Sequence, residues 1–264
     1  MISRLLLNGI LIGILAGVVS FGVLHVFVEP QMERAIAFEQ QAKANETPVI
    51  AHDEHTSGGH SHQAAESAHV HGEVISRETQ AGVGALVATT VFGGAVGGLF
   101  SLVFCFLYGR VGNISARMLS FSISVGALLA FVILPTLKYP ATPPGVGLSG
   151  TIGERTGYYF VLLAGSLLLQ AAAVVWYQKL KKNATGSARL LAIGGYAVLT
   201  IIMLGMLPSI DEVPSAFSGE VLLNFRVASV ATQAILWVVL GLTYGWYAHH
   251  ALSSSRRRHI PVNG

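Results

Sequence analysis

Six long apolar stretches constrain the fold of this chain more than any other feature of its sequence. Each has about 20 mostly uncharged residues, the length that an α-helix needs to cross a bilayer. They lie at residues 5–28, 82–108, 117–137, 157–177, 189–207 and 227–247. Because open sheets cannot leave backbone polar groups unpaired in lipid, the stretches are predicted to be helices. The expected fold is an all-α integral membrane bundle of about six transmembrane helices, in a single membrane domain at residues 1–264.

The composition agrees with a membrane protein. Of the 264 residues, 52% are hydrophobic and 11% are charged, and the mean hydropathy is +0.61. A soluble domain has about 25% charged residues. The apolar run of the first stretch is much longer than the roughly 7–15 residues of a secretory signal peptide, so we expect an uncleaved helix.

The distribution of charge predicts the orientation. With six spans both termini lie on one side, together with ten of the sixteen basic residues and none of the acidic ones. Those ten are Arg4, Arg110, Arg117, Lys179, Lys181, Lys182, Arg189, Arg256, Arg257 and Arg258. The positive-inside rule therefore predicts a multi-pass protein of the cell (inner or plasma) membrane with both termini in the cytoplasm. We expect the basic tail at 256–258 to contact anionic lipid headgroups, so the net charge of +3 requires no nucleic-acid partner.

Motifs of soluble catalysis are missing from the sequence. It contains no phosphate-binding loop of the Walker type, no Gly-x-Ser-x-Gly elbow and no His-Glu-x-x-His pair. We therefore predict that the protein is not an enzyme and holds no tightly bound cofactor.

A polar segment at residues 42–78 interrupts the apolar pattern, and we expect it to be a flexible loop on the outer side. It contains six of the chain's ten histidines: His52, His55, His60, His62, His69 and His71. Imidazole is the commonest side-chain ligand of divalent transition metals, so the loop is predicted to capture metal ions. Two alternatives remain open: a solvated linker that binds metal only incidentally, and a pH sensor.

A second group of candidate ligands lies at the outer end of the first stretch. His25, Glu29 and Glu33 are spaced by four residues, which places side chains on one face of a helix. Ionisable groups so close to the membrane interior are candidates for function, although Pro30 weakens the argument for Glu33. The alternative is that the two carboxylates only contact the headgroup region.

The later spans show a repeated pattern. "LPTLKYP" closes the third span and "LPSIDEVP" closes the fifth, and an arginine opens each following span, Arg155 and Arg226. Arg77 stands in the same place before the second span. The pattern suggests three parallel helical hairpins, an arrangement known in transporters, although proline-rich helix ends can also resemble one another by chance.

The same outer segments carry a family resemblance. "ILPTLKYPATPPGVG", "TIGERTGYYF" and "LPSIDEVPSAFSGEVLLNFRVAS", with the "VEP" of the first helix and the histidine-rich loop after it, resemble the CbtA family. Its members are described as probable cobalt transporter subunits. The resemblance covers essentially the whole chain, and it implies cobalt uptake associated with cobalamin synthesis. It also implies a small partner, CbtB, with one membrane span and a histidine motif.

The expected function is therefore that of a membrane subunit of a cobalt uptake system. Imidazole and carboxylate also accept Ni²⁺ and Zn²⁺, so the residues alone do not select Co²⁺. Between the span ends the sequence has no Asp, Glu, Lys or Arg, which suggests that a partner subunit or a homo-oligomer supplies polar groups. The alternative function is a membrane-anchored protein that binds or senses metal and transports none.

Overall fold

The computed structural model describes residues 2–46, 76–144, 146–147, 149–183, 187–210 and 213–258. It is 86% helical, and the described residues contain no strand. The α-helices are α1 (Ile2–Val23), α2 (Glu29–Glu46), α3 (Arg77–Thr79), α4 (Ala85–Leu107), α5 (Ala116–Leu128), α6 (Leu134–Lys138), α7 (Ile152–Asn183), α8 (Ala188–Met206) and α9 (Gly219–Arg258). The predicted all-α membrane bundle is confirmed.

Five of the continuous helices are long and apolar enough to cross a membrane. Within the described residues they are Ile2–Gln41, Arg77–Leu107, Ala116–Lys138, Ile152–Leu180 and Gly219–Ser253. The fifth predicted span, residues 189–207, corresponds to α8, whose apolar part Leu190–Met206 is shorter. A helix of about 17 residues is at the lower limit for crossing the hydrocarbon core. The count of six spans therefore stays a prediction.

Single π-helical turns join three pairs of helices into continuous rods. They are Leu24–Val28 between α1 and α2, Gln80–Gly84 between α3 and α4, and Leu129–Ile133 between α5 and α6. In two of these rods a proline, Pro30 or Pro135, is the second residue after the turn. Proline is tolerated in the first turn of a helix, so a helix that restarts after the π turn can include it.

From the sequence the first span is predicted to end at residue 28 and the loop to start at residue 42. The helix instead continues through α2 to Glu46, and α3 begins at Arg77. Residues 29–46 are rich in Ala, Glu and Gln, which favour a helix without contributing an apolar period. Ala35 is buried, and Phe38 contacts Phe217 edge to face at 5.0 Å, so α2 also packs against the chain before α9.

Helices α1 and α4 approach closely because small residues line their contact. A Cβ atom built on Gly13 would lie 2.1 Å from the carbonyl oxygen of Gly93, and one on Gly97 would lie 2.2 Å from that of Gly9. Any side chain at these positions would push the helices apart. The close approach expected of small residues in transmembrane helices therefore occurs at "GGAVGG".

Helices α5 and α9 form the second close pair. The Ser120 hydroxyl donates to the carbonyl oxygen of Gly241 at 2.7 Å, and the Ser124 hydroxyl donates to that of Trp237. The main core lies between the two pairs, where Phe100, Phe104 and Tyr244 are buried. α1 also contacts α9, so α1, α4, α5 and α9 form one compact unit, called below the four-helix unit.

Helices α7 and α8 pack mainly on each other. In the most apolar part of α7 only 11% of residues are buried, against 39% in α4, so the α7–α8 hairpin has few contacts with the four-helix unit. Of the three predicted sequential hairpins, α1–α4 is a tightly packed pair, whereas α5 packs on α9 and α7 on α8. The internal repeat stays a prediction.

Candidate metal site at the Glu29 end of the bundle

Glu29 is a buried carboxylate at one end of the bundle, called below the Glu29 end. It begins α2, directly after the π turn, and 6% of the residue is exposed. Its Oε1 atom accepts a hydrogen bond from the Nη2 atom of Arg77, which begins α3. The two residues are 48 positions apart, and their ion pair joins the starts of two helices.

The pair is asymmetric. The side chain of Glu29 is 8% exposed, while that of Arg77 is 35% exposed. The Nε atom of Arg77 is buried and has no hydrogen-bond partner among the described residues. Arginine binds a carboxylate most strongly through two parallel hydrogen bonds, and this pair uses one.

The other two candidate ligands of this group do not join Glu29. His25 lies within the π turn, its side chain is exposed, and its ring stacks on Phe21 with 5.5 Å between ring centroids. Glu33 is exposed one turn further along α2. The described residues contain no group of three or more His, Cys, Asp or Glu side chains that could hold a metal ion. His25, Glu29 and Glu33 therefore do not form a three-ligand site in this conformation.

The six loop histidines, His52, His55, His60, His62, His69 and His71, lie outside the described residues. Their predicted role in metal capture is neither supported nor contradicted by the structure. The described chain stops at Glu46 and resumes at Ser76, which directly precedes Arg77 of the ion pair.

Two further arginines hold the chain between α6 and α7. Arg155 donates from Nη1 to the Thr142 hydroxyl at 2.9 Å and from Nη2 to the Pro140 carbonyl oxygen at 3.1 Å. Arg226 donates from Nε to the carbonyl oxygen of Ala141 at 3.2 Å. The arginines that open the later spans thus bind the segment at 140–142 and keep it at the Glu29 end.

Tyr139 ties the same segment to the end of α8. Its hydroxyl donates to the carbonyl oxygen of Pro208 at 2.8 Å, and its ring stacks on Tyr158. Burial raises the pKa of the Tyr139 phenol, and the neighbouring Tyr158 adds to this effect. Tyr139 therefore stays protonated and acts as a hydrogen-bond donor. Lys138 adds a hydrogen bond to the Ser209 hydroxyl at 3.1 Å.

A large cavity of about 2000 Å³ separates the four-helix unit from the α7–α8 hairpin. Its lining runs from Arg155 and Arg226 at the Glu29 end to Arg110 at the opposite end. The wall is mostly apolar, with a few polar side chains at Gln170, Tyr196, Ser229 and Gln233. Gln170 crosses from α7 to α5 and donates from Nε2 to the carbonyl oxygen of Gly126 at 2.8 Å.

The Glu29–Arg77 ion pair was not predicted from the sequence, although both residues had been singled out. Glu29 was interpreted as a free metal ligand, and Arg77 as the residue that opens a span. The sequence signal for this pair is its position: a carboxylate at the end of one predicted span and an arginine at the start of the next lie at the same end of the bundle. Charges this close to the membrane interior normally find a partner.

Comparison with known proteins identifies one family. The family model CbtA, described as "Probable cobalt transporter subunit (CbtA)", matches residues 2–249. No curated protein and no solved structure matches the chain.

Proposed function

Because the chain belongs to the CbtA family, we propose that it is the membrane subunit of a cobalt uptake system and captures the ion with its histidine-rich loop. The family match over residues 2–249 carries this proposal. The helices long enough to cross a membrane support it, since they give the chain the architecture of a multi-pass protein. The family description of the protein as a subunit implies a partner in a transport complex and a metal ion as substrate.

The proposed orientation puts the Glu29 end on the outer face of the cell membrane and both termini in the cytoplasm. The basic residues at 256–258 and the three lysines near the end of α7 support it. In this orientation the loop histidines face the medium. A cysteine placed at Ser57 should then react with an impermeant thiol reagent on intact cells. Labelling that needs cell lysis would reverse the topology.

The loop raises the local concentration of metal and is not itself the transport site. Its histidines are closely spaced in pairs, and flexible ligands must lose conformational entropy when they order around an ion. That cost favours weak, exchangeable binding of Co²⁺, and equally of Ni²⁺ or Zn²⁺ where these are present.

His25 and Glu29 form the first fixed binding site for the ion, called below the station. Glu33 lies one helical turn further along α2. Glu29 supports this role because it is a buried carboxylate, and its partner Arg77 lies where the described chain resumes after the loop histidines. The helix holds Glu29 in place, so binding through this carboxylate avoids much of the entropy that the loop must lose. The exposed side chain of His25 must turn toward Glu29 to join it as a ligand. For Glu29 to bind metal, its ion pair with Arg77 must open.

A partner subunit completes the pathway. Between the predicted span ends the sequence offers hydroxyls, amides and backbone carbonyls but no carboxylate, and the one imidazole, His25, lies near the outer end of the first span. A CbtB-like subunit with one membrane span is the partner that we favour, and a homo-oligomer is the alternative. The cavity of about 2000 Å³ beside the α7–α8 hairpin supports this arrangement, since it leaves space next to the bundle for further membrane-embedded groups.

Uptake at two cobalt concentrations tests the division of labour between the loop and the station. Replacing the six loop histidines by alanine should lower the uptake of radiolabelled cobalt at scarce metal and leave it nearly intact at abundant metal. The double change of His25 and Glu29 to alanine should abolish uptake at both concentrations. Equal loss in both variants at abundant metal would show that the loop does more than capture. Normal uptake in the double variant would show that His25 and Glu29 do not form a required metal site.

A further inference from the structure

We propose that Arg77 is an electrostatic latch on the cation site: its guanidinium occupies the Glu29 carboxylate until a divalent metal ion replaces it. This inference rests on the proposed role of Glu29 as a ligand, and it adds what controls access to that ligand.

The burial of the Glu29 carboxylate supports an exchange between Arg77 and a metal ion. An ionised carboxylate that is 8% exposed needs a positive partner nearby, because a buried unpaired charge is costly. In the described structure that partner is Arg77. A divalent cation at the same carboxylate would serve equally well as a countercharge. Both cannot stay, because a guanidinium in hydrogen-bond contact with Glu29 would lie within a few ångströms of the bound ion and would repel it.

The small number of hydrogen bonds that Arg77 makes to the described residues also supports the exchange. Its guanidinium makes one hydrogen bond to Glu29 and leaves Nε without a partner among the described residues. Arg155 at the same end binds both a hydroxyl and a backbone carbonyl. Arg155 thus has the contacts of an arginine that stabilises a loop. Among the described residues Arg77 has a single polar contact to lose, and about a third of its side chain already reaches solvent.

The exchange has a structural consequence. Glu29 begins α2 and Arg77 begins α3, so the ion pair links the starts of the two helices. When metal replaces the guanidinium, Arg77 turns toward water and this link is lost. Arg77 therefore both lowers the affinity of the empty site and connects its occupation to the position of α3.

Cobalt titration of the purified full-length chain tests the latch. All samples carry the six loop histidines as alanine, so that binding reports the site near Glu29. Arg77→Gln should bind Co²⁺ at least about tenfold more tightly than the chain with Arg77, because a repelling charge is removed. Arg77→Lys keeps the charge and should stay close to the parent affinity. Glu29→Gln should lose the binding.

Arg34→Gln is the matched control, since Arg34 is an exposed arginine five residues after Glu29 and hydrogen-bonds to Gln31 at 3.4 Å. Its loss removes the same charge from the same end of the molecule and should change the affinity little. A gain in Arg34→Gln as large as in Arg77→Gln would overturn the latch, because net charge alone would then explain the effect. An unchanged or weaker affinity in Arg77→Gln would also overturn it.

The outcomes separate the latch from the proposed function. If Glu29→Gln weakens binding but Arg77→Gln does not strengthen it, the latch is wrong and Glu29 remains a ligand. If Glu29→Gln binds cobalt as the parent does, the ligand role fails and the latch fails with it.

A measurement without a substitution at Arg77 covers the case in which Arg77→Gln does not fold. An arginine-specific dicarbonyl reagent should modify Arg77 several-fold faster after cobalt is added, because the guanidinium leaves the carboxylate. Arg34, followed by mass spectrometry in the same sample, should react at an unchanged rate. Equal rates at Arg77 with and without cobalt would contradict the exchange.

Discussion

The helices of the four-helix unit and those of the α7–α8 hairpin pack against each other in different ways. In the four-helix unit, backbones touch: Gly9, Gly13 and Gly17 of α1 face carbonyl groups of α4 at distances that exclude a side chain. In the hairpin, a Cβ atom on Gly194 would meet nothing within 4 Å, and large apolar side chains such as Leu168 and Leu190 are exposed.

The difference shows what holds helices together in lipid. Lipid tails solvate leucine as well as another helix does, so apolar surface alone gives no reason to associate. Close backbone approach and interhelical hydrogen bonds supply that reason, and they are concentrated in α1–α4 and α5–α9. We infer that the four-helix unit is the rigid part of the molecule and that the α7–α8 hairpin is the part free to adjust around the cavity.

The largest effect is expected from Gly13→Ala. The added methyl group would lie 2.1 Å from the Gly93 carbonyl oxygen, so α1 and α4 would have to separate along their whole contact. We expect a loss of about 3 kcal/mol or more in stability, at the upper end for overpacking. Gly194→Ala in α8 is the matched control and should be neutral or stabilising by up to about 1 kcal/mol. Thermal unfolding in detergent measures both, and similar losses would contradict the contrast between the two regions.

A smaller effect, with a built-in rescue, is expected at the α5–α9 contact. A Cβ atom on Gly241 would lie 2.5 Å from Cβ of Ser124, so Gly241→Ala should destabilise the pair. Adding Ser124→Gly removes the clashing atoms but also the hydrogen bond to Trp237. The double variant should therefore recover most, though not all, of the stability. If Ser124→Gly brings no recovery, the two helices do not meet at these positions.

The smallest effect is expected at Gln170, which hydrogen-bonds from α7 to α5 across the cavity. Replacement by leucine should cost about 0.6 kcal/mol, the average for a hydrogen bond between membrane helices. The substitution should change the distance between α5 and α7 noticeably even though it costs little stability, because few other contacts hold the hairpin. Spin labels on α5 and α7 should show a broader distance distribution in Gln170→Leu. Labels on α1 and α4 should not change, and equal broadening in both pairs would refute the distinction.

The helices could be predicted from the sequence because lipid allows few alternatives. An apolar stretch of sufficient length must be helical, so α1, α4, α5, α7 and α9 follow from hydropathy. The first helix continues beyond the predicted span end at residue 28 and past Pro30, whereas the end predicted at residue 137 lies next to the observed helix end at Lys138. The hydrogen bonds of a π turn join residues five apart instead of four, so the side chains after the turn are shifted around the helix axis. A hydropathy pattern does not reveal this shift.

The site could be predicted only in part. Glu29 and His25 were singled out because ionisable groups are rare at such depths, and the sequence did not indicate that His25 lies in a π turn at Leu24–Val28. In the structure His25 is exposed and Glu29 is buried, although residues four apart on a regular helix share one face. The pairing of Glu29 with Arg77 depends on the contact between α1 and α4, which local patterns do not determine.

Movement of cobalt across the membrane with the help of this chain can be measured directly. Cells that lack other cobalt uptake should be given the chain alone, the chain with a CbtB-like subunit, or neither, and exposed to radiolabelled cobalt. After washing with an impermeant chelator, the retained label reports ions that have crossed. We predict strong retention with both subunits, which the double change of His25 and Glu29 to alanine removes. Label that binds in all cells with the chain but is always stripped by the chelator would contradict transport and leave a metal-binding membrane protein.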